Sequence, residues 1–157
     1  MDKASELVKI LIEKGYTISF AESCTGGKAA AAIVDVADAS KVLNASFVTY
    51  SNEAKIKYAN VSKETLEQYG AVSEQTAGEM ARGTAIANHA DVAVGISGIA
   101  GPTGGTADKP VGTVCFGYYV HEKTITETVH FPDQGRNAVR DMSVEHVLDK
   151  VIEELRK

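Results

Sequence analysis

Ser23 stands between an apolar stretch ending at Phe20 and a glycine pair, in the segment Phe20-Ala21-Glu22-Ser23-Cys24-Thr25-Gly26-Gly27. The apolar residues predict a strand, the glycines a turn, and the alanine-rich run after Lys28 a helix. A serine at such a junction lies beside unpaired backbone N–H groups and the positive end of a helix dipole. It could act as a nucleophile, with N–H groups around Cys24, Thr25, Gly26 and Gly27 stabilising an oxyanion. The plainer role for Ser23 and Thr25 is to cap the helix. Cys24 is a rival nucleophile, because thiolates are intrinsically more reactive.

A nucleophilic serine needs a base, and spacing ties none of the four histidines (His89, His121, His130, His146) to Ser23. Tyr50 and Lys55 are better placed, in Tyr50-Ser51-Asn52-Glu53-Ala54-Lys55. Tyr50 ends a predicted strand and Lys55 lies on the helical turn after it, so both could face one cleft. Serine–lysine variants of the catalytic triad exist. The lysine serves only if burial or nearby cations lower its pKa, and an isolated lysine is ordinarily solvated.

A second segment, Gly98-Ile99-Ala100-Gly101-Pro102-Thr103-Gly104-Gly105, follows a predicted buried strand. It lacks the Gly-Lys-Ser/Thr ending of a P-loop and the spacing of a dinucleotide fingerprint. Gly95-Ile96-Ser97-Gly98 also misses the register of a nucleophile elbow. A long glycine-rich loop after a buried strand is nevertheless where α/β proteins bind ligands.

These residues need a frame. Helices are predicted at 4–14, 26–36, 52–58, 62–69, 73–88 and 136–156, and strands at 17–21, 46–51, 91–97, 111–120 and 123–131. Gly78 and Gly83 are weak points in the helix over 73–88. Alternating elements followed by a hairpin predict a three-layer α/β/α sandwich around a mixed sheet. The 157 residues, 44% of them hydrophobic, predict a single domain over 1–157. A net charge of −5 argues against nucleic acid as the main partner. No apolar run could span a bilayer and the N-terminus does not read as a signal peptide, so a cytoplasmic protein is expected. The two cysteines and scattered histidines form no metal-ligand pattern.

The blocks Ala21–Gly27, Tyr50–Lys55, Gly70–Ser73, Ser97–Pro102 and Lys109–Val114 resemble, in order, the CinA C-terminal domain family. Its enzymatic members are nicotinamide-nucleotide amidohydrolases of the PncC type. The resemblance implies hydrolysis of nicotinamide mononucleotide to nicotinic acid mononucleotide and ammonia, without metal or organic cofactor. It assigns Ser23 as the catalytic serine, Tyr50 as the tyrosine and Lys55 as the lysine. Gly98, Gly101, Thr103 and Gly104 of the loop, with Arg136 and Arg140, would hold ribose and phosphate. The two arginines are one helical turn apart, which allows both to face one site. Relatives often carry Gly-Asp-Arg where this chain has Gln134-Gly135-Arg136, with the acid displaced to Asp133. Larger CinA proteins have an added N-terminal domain, and the chain resembles the standalone form. Two alternative functions stay open, a binding module that senses pyridine nucleotides and a broader small-amide hydrolase, and assembly as a homo-oligomer is open under each of them.

Overall fold

The computed structural model describes residues 1–157. Its elements are α1 (Lys3–Lys14), β1 (Ile18–Glu22), α2 (Lys28–Val34), β2 (Phe47–Val48), α3 (Asn52–Ala59), α4 (Lys63–Tyr69), α5 (Glu74–Asn88), β3 (Val92–Gly98), β4 (Thr113–Val120), β5 (Lys123–His130) and α6 (Arg136–Leu155). A short 3-10 turn over Ala39–Lys41 was not foreseen from the sequence. Polar caps set several boundaries. Asp2 accepts from the Ser5 N–H at the start of α1, and Gly15 ends that helix in the left-handed conformation. Ser51, Ser62 and Ser73 cap α3, α4 and α5 in the same way, each accepting a backbone N–H three residues on.

The sheet order is β2-β1-β3-β4-β5. β1 lies parallel to both β2 and β3, whereas β4 and β5 join as antiparallel neighbours. Strand alternation divides the sheet into two faces. Phe20, Val94, Ile96, Val114 and Phe116 pack under α1, α2 and α6 with Leu7, Leu11, Ile33, Val147 and Val151. On the opposite face Ala21 packs with Met80 of α5 and Ala59 of α3. The expected α/β/α sandwich with a mixed sheet is therefore the observed fold.

Gly83 is not a weak point but a close approach. A Cβ there would overlap the Ala59 carbonyl, so glycine lets α3 lie against α5. That contact matters because α3 carries Lys55. The predicted strand over 46–51 shrinks to Phe47–Val48, and the helix predicted from 26 begins at Lys28. No helix is long and apolar enough to cross a membrane. The chain leaves β1 for β2 on one side and reaches β3 on the other. The carboxyl ends of β1 and β3 thus flank a topological switch point, where such sheets bind ligands.

Candidate active site

Ser23 follows β1 directly at that switch point. Its N–H donates to the Ile96 carbonyl at 2.9 Å, which fixes it against β3. Gly26 and Gly27, at φ 58° and 108°, then turn the chain into α2. Neither Ser23 nor Thr25 caps that helix, because Glu22 does. Its buried carboxylate accepts the Ala29 N–H through Oε1 at 2.8 Å and the Ala30 N–H through Oε2 at 3.0 Å. The expected oxyanion site at the helix end is corrected accordingly. The first helical donors are already taken by Glu22, and the Gly26 N–H donates to the Ser23 carbonyl at 3.1 Å. Of the four residues assigned to that role, Cys24 lines the cavity, whereas Thr25, Gly26 and Gly27 do not.

Lys55 reaches Ser23 directly, with Nζ 3.0 Å from Oγ. The same Nζ donates to the Thr49 carbonyl at 2.8 Å and lies 3.4 Å from the Tyr50 carbonyl. Only 1% of Lys55 is exposed, and that burial lowers its pKa to about 8. Burial acts oppositely on Cys24, pushing its thiol up to about 11 and leaving it protonated near neutrality. The geometry thus favours Ser23 over Cys24 as the group next to a usable base.

Tyr50 is placed differently from a proton relay. The residue is 63% exposed, and its hydroxyl accepts from Arg136 Nη2 at 3.1 Å. Arg136 Nη1 donates to the Gly101 carbonyl at 2.8 Å, so the arginine ties the glycine loop to Tyr50 at the mouth. Ser23, Cys24, Tyr50, Lys55, Gly98, Gly101, Thr103, Gly104 and Arg136 all line one cavity of about 280 Å³.

Arg140 is the second correction. Its Nε donates to the Cys24 carbonyl at 2.9 Å and its Nη2 to the Thr25 carbonyl at 3.1 Å. Nη1 donates to Asn137 at 3.0 Å, and the side chain is absent from the cavity wall. Helical spacing placed it on the same face as Arg136, but its guanidinium is used on the loop after Ser23. Glu22, Asn52, Val72 and Ser97 are site residues that sequence reasoning missed. An acid immediately before the serine, with no acid in the first turn of α2, was the available signal for Glu22.

Comparison with known proteins turns this geometry into a family assignment. A model of the CinA C-terminal domain matches residues 1–155. The chain belongs to the CinA C-terminal domain family. It is 51% identical over 135 residues to a nicotinamide-nucleotide amidohydrolase PncC of Enterobacter agglomerans, covering 86% of this chain and 82% of that protein. A CinA-like protein of Kosmotoga olearia is 50% identical over 145 residues, 92% of this chain. The chain spans only 35% of that relative's length. Among solved structures, the competence/damage inducible protein CihA of Agrobacterium tumefaciens superposes with a TM-score of 0.91 at 38% identity. That match covers 100% of this chain and 98% of the other.

Proposed function

We propose that this CinA-family chain is an amidohydrolase that converts nicotinamide mononucleotide to nicotinic acid mononucleotide and ammonia. The observation that carries the reading is the buried contact of 3.0 Å between Lys55 Nζ and Ser23 Oγ. The relationship to an amidohydrolase of that name supports the substrate.

In the neutral amine the two N–H groups point at the Thr49 and Tyr50 carbonyls, which leaves the nitrogen lone pair for the Ser23 proton. Ser23 Oγ attacks the carboxamide carbon as Lys55 takes its proton. The Lys55 ammonium then protonates the departing nitrogen, the C–N bond breaks and ammonia leaves. Water, deprotonated by Lys55, attacks the acyl-enzyme and releases the acid and Ser23. Arg136 would exchange its bonds at the mouth for the nucleotide phosphate, which its planar fork suits. The cavity, at about 280 Å³, falls just below the range of about 300–1,000 Å³ usual for small-ligand sites.

The test is ammonia release from nicotinamide mononucleotide by the purified chain, with free nicotinamide in parallel. Turnover of the nucleotide alone is expected. Binding without turnover would make the chain a sensor, and equal turnover of both would make it a broader amide hydrolase.

A further inference from the structure

The cavity contains a second serine. Ser97 lies near the end of β3, and the Ser23 N–H donates to the residue before it, Ile96. Alternation carries Val92, Val94 and Ile96 to the face under α1, α2 and α6, and so turns Ser97 to the other face. Ser23, two residues beyond Ala21, shares that face. The last register pair, Glu22 with Ile96, therefore sets Ser23, just past the end of β1, beside Ser97 on β3, and both line the cavity.

Ser97 differs from every other buried serine. Ser19, Ser73 and Ser143 donate to the carbonyls of Ala45, Gly70 and Val139, and Ser23 is bonded to Lys55. Ser97 is only 1% exposed and lines the cavity, and no protein group is paired with its hydroxyl; the buried hydroxyls of Thr25, Thr49 and Thr84 are also unpaired but do not line the cavity. Buried hydroxyls are normally paired, so one that faces a cavity unpaired is available to a ligand atom.

Its side of Ser23 decides which atom. Lys55 is held on the β2 side, through the carbonyl of Thr49, whose own N–H donates to Glu22 on β1. Ser97 is on the β3 side. In amide hydrolysis the departing nitrogen must meet the proton on Lys55. The carbonyl oxygen then turns away from Lys55, toward β3. We propose that Ser97 is a catalytic residue whose Oγ–H donates to the oxyanion, beside the backbone N–H of Cys24, which also lines the cavity. The proposal rests on the Ser23–Lys55 reading above. As the Ser23 Oγ–C bond forms, the carbonyl π pair moves onto oxygen and the Ser23 proton moves to Lys55. Ser97 keeps its own proton throughout. On collapse the pair returns, the C–N bond breaks and the Lys55 proton leaves with ammonia.

Ser97→Ala and the near-isosteric Ser97→Cys, a weak donor, are compared with Ser97→Thr, which keeps the hydroxyl. Two reactions are measured: ammonia release from nicotinamide mononucleotide, and acylation of Ser23 by p-nitrophenyl acetate. The ester's leaving group needs no proton, but its transition state still carries an oxyanion. Loss of one oxyanion donor lowers kcat by about 10²–10³-fold. Ser97→Ala and Ser97→Cys are expected to show that loss in both reactions with KM nearly unchanged, and Ser97→Thr to restore most of it. A defect confined to the amide would place Ser97 on the leaving nitrogen and overturn the proposal. So would a raised KM at unchanged kcat, or no kinetic change in whichever variant folds. If the wild-type chain is acylated at Ser23 by the ester but releases no ammonia, the substrate reading fails and the ester still tests Ser97. A wild-type chain inert to both overturns both readings.

Discussion

The pH dependence of turnover should report Lys55. A solvated lysine, with a pKa near 10.4, is neutral in only about one molecule in 2,500 at pH 7. Burial lowers Lys55 to about 8, which makes about one in ten neutral at that pH, a gain of about 250-fold in active base. The sign follows directly: protonation removes the base, so kcat/KM should rise about tenfold per pH unit below 8 and level off above it. The assay is ammonia release from nicotinamide mononucleotide between pH 6 and about 9.5, at substrate concentrations well below KM. Lys55→Arg preserves a positive charge but cannot give up its proton, so it should lose as much as Lys55→Ala, at least about 10²–10⁴-fold. A flat profile across this range, or substantial activity in Lys55→Arg, would make the lysine structural. The base would then have to be sought elsewhere in the cavity.

Three further outcomes are expected. Ser23→Ala should abolish turnover while retaining ligand binding, whereas Cys24→Ala should stay active because the buried thiol is protonated; the reverse pattern of activities would transfer the nucleophile to Cys24. Arg136→Ala should raise KM for the mononucleotide about ten- to a hundred-fold, the loss of a charge-assisted phosphate contact of about 1.5–3 kcal/mol, and an unchanged KM would remove Arg136 from the site. Glu22→Ala should lower stability by about 2–3 kcal/mol in urea unfolding, since two N–H groups of α2 lose their acceptor, and an unchanged midpoint at unchanged slope would refute the cap.

Ser23 and Lys55, which meet in the cavity, were legible as neighbours because local rules govern them. A serine between a strand and a glycine turn, and a lysine on the first turn after a strand, are fixed by the chain around them. The layers were legible because continuous apolar strands must be covered on both faces. Arg140 was misread because i,i+4 spacing gives a shared helix face and no more. The distance from that face to Cys24 and Thr25 is set by how α6 crosses the sheet, which no local pattern carries. Ser97 was passed over for a related reason. Its partnership with Ser23 exists only once β1 and β3 are known to be parallel neighbours.

The short β2 was also misread, and its length has a chemical consequence. In a regular strand successive carbonyls point to opposite sides, so one side chain cannot meet two consecutive ones. Lys55 Nζ meets both, the Thr49 carbonyl at 2.8 Å and the Tyr50 carbonyl at 3.4 Å. That is possible only where the chain has left the extended conformation, and β2 ends at Val48, one residue earlier. Ser51 then caps α3 by accepting the Ala54 N–H at 3.0 Å, which starts the helix in time to return Lys55 to the same spot. The alternation Phe47-Val48-Thr49-Tyr50 reads as a strand throughout, since β-branched and aromatic residues favour one. Local propensity is overridden where an extended backbone would have left the ammonium of Lys55 buried with too few acceptors.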